Sequence, residues 1–220
     1  MKRIPELKDK KLFKQAFVHR SYINESKEKL ESNERLEFLG DSVISFIVSD
    51  YLYKKHPDFD EGILTNLRSL LVNTKILAEV SKELSFGELL MLSKGEEESM
   101  GRQNQSLLAD SFEAFVGALF LDQGIAAVTD FLKEVLLPKA DEFVKNKAFK
   151  DPKSLLQEKV QAKKISSPVY KVMKEEGPAH AKKFTVGVFV ENKIIGIGTG
   201  RSKQDAEEMA AKEALERKRK

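Results

Sequence analysis

Apolar residues return every three or four positions through about Lys145, most clearly in Leu36 to Ile47, Leu64 to Val80 and Leu107 to Leu121, and that period predicts an all-α domain. His56-Pro57-Asp58 and the stretch from Gly95 to Gly101 read as loops between helices. The pattern changes near Lys147 to Pro152. A helical piece from Pro152 to Lys164 is followed by three strand-like runs, Val169 to Lys174, Lys183 to Val190 and Lys193 to Gly200. In the second run Phe184, Val186, Val188 and Val190 share one face, and Glu191-Asn192 suits a hairpin connection. Ser202 caps a last helix from Lys203 onward, with Asp205 at the third helical position. The order α-β-β-β-α fills about 70 residues, enough for an independent small α+β domain. The expected organisation is an all-α domain over 1–146, a linker over 147–150 and the second domain over 151–220.

Composition fits this picture and narrows it. The 220 residues are 41% hydrophobic and 33% charged, a globular balance that argues against both a membrane protein and wholesale disorder. No unbroken apolar run reaches about 18 residues, so no membrane-spanning helix is expected. The N-terminus turns charged again at Glu6 and Lys8, before a signal-peptide core could form. Without cysteine there can be no disulfide, thiolate zinc site or cysteine nucleophile, and a cytoplasmic setting is expected. The net charge of +3 hides an asymmetry: residues 151–220 hold 16 Lys and Arg against 10 Asp and Glu, while the remainder holds 22 against 25. A basic segment beside a slightly acidic one suggests one part that holds a polyanion and another that uses carboxylates.

Those carboxylates are placed unusually. On a helix, Glu34, Glu37 and Asp41 form one narrow stripe, with Leu36, Leu39 and Val43 opposite and Phe38 close enough to screen part of the stripe from water. Asp110 and Glu113 are the only charges in an otherwise apolar helix, and Ala114 and Gly117 continue their stripe, so a second backbone can come close there. Facing buried carboxylates are costly unless they take up protons or share a cation. A hard divalent ion, Mg²⁺ or Mn²⁺, suits oxygen ligands, whereas His19, His56 and His180 offer no zinc-like spacing. Helix capping competes as an explanation: Asn33 with Glu34 at one helix start, and Asp110-x-x-Glu113 as a capping box at the other. It accounts poorly for Asp41, two turns inside its helix.

The run Asn33-Glu34-Arg35-Leu36-Glu37-Phe38-Leu39-Gly40-Asp41-Ser42-Val43 resembles the signature of the ribonuclease III family almost letter for letter. His19-Arg20-Ser21-Tyr22, Asp60-Glu61-Gly62, Leu67-Arg68 and Leu108-Ala109-Asp110-Ser111-Phe112-Glu113-Ala114 follow in the family's order, so the resemblance covers essentially the whole chain. It implies a metal-dependent endoribonuclease that hydrolyses double-stranded RNA to 5′-phosphate and 3′-hydroxyl ends with a short 3′ overhang, in ribosomal or messenger RNA processing. Glu37, Asp41, Asp110 and Glu113 match the family's catalytic cluster, with Glu37, Asp110 and Glu113 as metal ligands. Glu34 and Glu61 match acids of the catalytic valley that contact RNA or assist assembly. A homodimer through the catalytic domain is also implied, with no membrane involved.

The second domain resembles a double-stranded-RNA-binding domain, a fold that reads A-form shape across successive minor grooves. Gln157 and Gln161, one turn apart, are candidates for 2′-hydroxyl or base-edge contacts. The loop with Pro178 and His180 matches the segment that enters a neighbouring minor groove. Ser202, Lys203 and Gln204 sit where a helix N-terminus attracts phosphate. The family often shows adjacent lysines there with a third one turn on; this chain has Lys203, Gln204 and Glu207, and Lys182 and Lys183 are expected to compensate. His19 is read as a hydrogen-bonded structural residue. Gly40-Asp41-Ser42 lacks the partners of a serine esterase, and the spaced glycines Gly196, Gly198 and Gly200 lack dinucleotide spacing. A catalytically silent RNA-binding relative is the main alternative function, while a di-iron carboxylate protein fails for want of a Glu-x-x-His pair.

Overall fold

The computed structural model describes residues 4–146, 151–178 and 182–217. They form two compact units, Met1–Phe149 and Lys150–Lys220. The expected linker over 147–150 lies outside the described residues.

The first unit is all helical. In chain order its α-helices are α1 (Lys10–Ala16), α2 (Arg20–Ile23), α3 (Glu34–Lys55), α4 (Glu61–Leu71), α5 (Thr74–Glu83), α6 (Phe86–Leu89), α7 (Lys94–Glu98), α8 (Gln105–Val135) and α9 (Pro138–Lys145). The apolar segment read as continuous from Leu64 to Val80 is two helices. Asn73 separates them, its side chain accepting from the Ile76 amide at 3.0 Å as the cap of α5. The region from Gly95 to Gly101, expected to be loop, contains α7, capped by Ser93.

Helix α8 is the axis of the unit. By length and composition it is apolar enough to cross a membrane, although Asp110 and Glu113 interrupt its apolar run. The reason is its position: it packs against α1, α3, α5 and α6 and buries most of its residues from Leu108 to Leu119, while Leu121 and Ile125 are exposed. Phe112, Phe115 and Phe131 of α8 join Phe17 and Phe86 in an aromatic cluster with ring centroids 5.1–6.4 Å apart. The left-handed backbone of Gly124 (φ 79°) kinks the helix beyond the predicted end at Leu121.

The second unit has the predicted order: α10 (Pro152–Gln161), β1 (Val169–Glu176), β2 (Lys183–Val190), β3 (Lys193–Gly200) and α11 (Lys203–Arg217). The strands form an antiparallel sheet in the order β1-β2-β3. Glu191 and Asn192 both adopt positive φ, as a tight hairpin turn requires. Val188 and Val190 face a core completed by Leu156, Val160, Ala210, Ala211 and Ala214. The glycines of β3 serve packing: side chains at Gly196 and Gly198 would collide with the backbone of α11 around Ala210. Helix α10 ends three residues before the predicted Lys164, which takes a positive φ of 57°.

Candidate active site and RNA interface

The acidic stripe of α3 meets that of α8 because both helices give up side chains where they cross. A Cβ at Gly117 would lie 2.1 Å from the Leu36 carbonyl oxygen, so only glycine permits the approach. The sequence marked Gly117 for this role, and Gly40 is its counterpart on α3. Ser81 of α5 and Ser111 of α8, both fully buried, add a hydrogen bond of 3.1 Å that fixes the rotation of α8.

At this crossing Glu37, Asp110 and Glu113 each present a carboxylate oxygen within 4.8 Å of the others. Fully ionised, each such pair would repel by about 3 kcal/mol at an effective dielectric of about 20. The resulting shifts follow. Burial chiefly, then the charges of Asp41, Asp110 and Glu37, push Glu113 up to about 8. Burial also raises Glu37, helped by Asp110, Glu34 and Asp41. It raises Asp110 as well, against the opposing charge of His19. The spacing suits a hard cation, since octahedral oxygens about 2.1 Å from Mg²⁺ stand roughly 3 to 4 Å apart.

Asp41 stays outside this triad. It is exposed on α3 and acts on Glu37 and Glu113 through its charge. Glu34 is exposed too, accepting from the Ser32 hydroxyl at 2.8 Å and lying 3.6 Å from the Arg20 guanidinium. Glu61 accepts from the Thr65 hydroxyl at 3.1 Å and lines a separate cavity with Tyr53, Phe59 and Arg68. Phe38 does not screen the acids: it is 78% exposed, because it points off the packed side of α3.

The capping alternatives fail on inspection. Asn33 makes no side-chain cap; it is 3% exposed and donates instead to the Ala16 carbonyl at 3.5 Å. Asn104 caps α8, so Asp110 lies more than a turn inside. Sequence reasoning gave His19 a structural role but missed its place beside the acids. It caps α2 with Nδ1, and its charge reaches Asp110. The family-typical His-Arg-Ser-Tyr run was the available signal.

In the second unit Gln157 and Gln161 are exposed on one side of α10, opposite Leu156 and Val160. Pro178 is exposed after Gly177, whose φ is 90°; His180 lies outside the described residues. Ser202 and Asp205 form a reciprocal cap, the Asp205 amide donating to Ser202 Oγ at 3.0 Å and the Ser202 amide to Asp205 Oδ2 at 3.2 Å. The side-chain amide of Gln204 donates to Glu208 at 3.2 Å. Lys183 is exposed, but Lys182 is paired with Glu175, so its charge is already partly offset. Glu207 is likewise committed: it holds Lys153 at 2.6 Å, and the Lys153 ammonium lies 4.9 Å above the Tyr170 ring.

Residues 9–140 match a family model described as ribonuclease-III-like, and residues 152–218 match the double-stranded RNA binding motif. Two curated relatives called Ribonuclease 3 are each 48% identical. The one from Bacillus licheniformis aligns over 96% of this chain and 84% of its own length, and one from Bacillus cereus over 95% and 85%. The nuclease domain of ribonuclease III from Campylobacter jejuni is similar at 37% identity and a TM-score of 0.55, covering 59% of this chain and 87% of that one. Dicer from Pichia stipitis is similar at 32% identity and a TM-score of 0.51, covering 97% and 96%.

A helical nuclease-type domain followed by a double-stranded-RNA-binding domain defines a double-stranded-RNA endoribonuclease. The chain belongs to the ribonuclease III family, in its bacterial two-domain form. The silent-binder alternative is thereby set aside.

Proposed function

We propose that this endoribonuclease is metal-dependent, with Glu37, Asp110 and Glu113 holding Mg²⁺, or Mn²⁺ in its place, and Asp41 completing the acidic centre. The observation that carries this reading is the convergence of three carboxylate oxygens within 4.8 Å on two helices. When bound, the ion supplies an activated water, neutralises charge at phosphorus and stabilises the leaving oxygen. The chain's own acids hold the site open to that chemistry. Burial first, and then the charges of the neighbouring acids, raise Glu113 to about 8, so a cation held there would compete with a proton for its carboxylate. Products with 5′-phosphate and 3′-hydroxyl ends and short 3′ overhangs follow from such hydrolysis on both strands, in ribosomal or messenger RNA processing in the cytoplasm.

Cutting both strands needs two centres, and a homodimer provides them. Phe38, Phe46 and Tyr53 lie along one side of α3 and are 63–78% exposed, an apolar stripe that the first unit leaves unburied. The Campylobacter jejuni nuclease domain is described as having a region involved in dimer formation, which supports this assignment. We assign Gln157, Gln161, Pro178, His180, Ser202, Lys203, Gln204 and Lys183 to RNA contact, with a lesser share for Lys182.

Incubation with long duplex RNA and Mg²⁺, followed by mapping of the product ends, tests this function. Cleavage that persists in excess chelator, or single-nucleotide products, would overturn it.

A further inference from the structure

The three-stranded sheet of the second unit has two edges, and they are protected unequally. An edge strand presents backbone groups to which another strand can bond, and charged side chains or a bulge discourage that pairing. Strand β1 has both: Lys171, Lys174, Glu175 and Glu176 along its length, and a register shift between Val172 and Lys174. Strand β3 is built otherwise. From Ile194 to Gly200 it carries no charge and no proline, and from Gly196 to Gly200 it pairs with β2 without a break. Glycines at 196, 198 and 200 leave the register of such a strand weakly specified.

One side chain guards this edge instead. Glu213 of α11, half-buried, accepts from the Ile197 amide at 2.5 Å through Oε2. Its other oxygen lies 2.6 Å from the Arg217 guanidinium, one turn further along the helix. The missing side chains of Gly196 and Gly198 let α11 lie directly on β3, which brings Glu213 within reach. Because the Ile197 amide bonds to Glu213, it points away from β2, in the direction a fourth strand would occupy. A carboxylate held by two charge-assisted bonds fills that place.

We infer that β3 is a strand-pairing surface for a second copy of this chain, held closed by Glu213. Two copies of β3 can pair about a twofold axis. The neutral stretch from Ile194 to Gly200 then brings no like charges together. Ile194 and Ile197, each 40% exposed, supply the apolar side chains that such a seam needs.

The test is the mass of the full chain by multi-angle light scattering over a concentration series. Glu213→Ala is expected to raise it at least about twofold over the unsubstituted chain, with unchanged circular dichroism. Ile197→Pro removes the amide that Glu213 holds, and proline is tolerated on an edge strand where the N–H faces outward. Glu213→Ala combined with Ile197→Pro is therefore expected to return to the unsubstituted mass. An unchanged mass in Glu213→Ala overturns the inference. So does a raised mass that Ile197→Pro leaves in place, since association then runs through another surface. Should Glu213→Ala fail to fold, amide hydrogen exchange of the unsubstituted chain decides. The Ile197 amide is expected to exchange at least about 10-fold more slowly than an unstructured one, and exchange at the unstructured rate overturns the inference.

Discussion

Gly40 of α3 lies directly against the backbone of Glu113 of α8: a Cβ at position 40 would stand 1.8 Å from the Glu113 carbonyl oxygen. The same contact that seats α3 on the core thus sets the distance between Glu37 and Glu113. Gly40→Ala is expected to push the helices apart, destabilising the fold by about 1–3 kcal/mol or more. Misplacing reacting groups by about 1 Å can cost 10²-fold in rate, so cleavage should fall further than stability suggests. Thermal melts beside a duplex-cleavage assay check this; parental activity in Gly40→Ala would contradict it.

Glu113→Gln removes one of the oxygens proposed to bind the metal while keeping nearly the same shape. Cleavage of duplex RNA is expected to fall below detection while duplex binding stays within about twofold, because binding is assigned to the second unit. Gel-shift and cleavage assays on one preparation separate the two. Loss of both together would mean that Glu113 is needed for the fold.

The raised carboxyl of Glu113 makes metal-free stability depend on pH. Its ordinary value is 4.5, and in the folded protein it rises to about 8. Between those values the folded state binds a proton that the unfolded chain has released. The stabilising contribution is therefore complete below 4.5 and is lost as pH climbs through about 8. The metal-free melting temperature is expected to fall as pH rises from 4.5 to about 8 and to level off above that, with saturating Mg²⁺ or Glu113→Gln flattening the slope. Calorimetry over a pH series would show it.

Phe38 is 78% exposed, so a charge there should cost the single subunit little. Phe38→Glu is expected to convert a dimer to a folded monomer, read as a halved mass by light scattering with unchanged circular dichroism. An undiminished mass would move the dimer surface elsewhere.

The proposed phosphate contact at the start of α11 is assigned chiefly to Lys203, since Gln204 is neutral and Lys182 is paired with Glu175. Lys203→Gln in the full chain is expected to reduce the dependence of log affinity on log salt by about one. Titrations at several salt concentrations measure it, and an unaltered slope would exclude Lys203 from phosphate contact.

Much of the molecule could be read from local pattern. Helical period alone put Glu37 beside Asp41 and Asp110 beside Glu113, and alternation with turn chemistry gave β2, β3 and their hairpin. The signature around Glu37 and Asp41 carried the family, because side-chain order along one helix is a one-dimensional property. What the pattern could not decide were quantities that exist only between segments. Phe38 was expected to screen the acids, yet its direction depends on which side of α3 packs on α8. Asn33 looked like a cap, but its amide reaches Ala16, 17 residues away in sequence.

Likewise, the separation of Glu37, Asp110 and Glu113 from Asp41, which only the family resemblance implied, is a matter of packing. The crossing point fixed by Gly40 and Gly117 brings only some oxygens within a cation's reach. His19 is held by its amide's bond to the Met91 carbonyl, 72 residues away, and its charge reaches Asp110 on another helix. Periodicity is written residue by residue, whereas convergence depends on how closely two backbones can approach, and packing sets that distance.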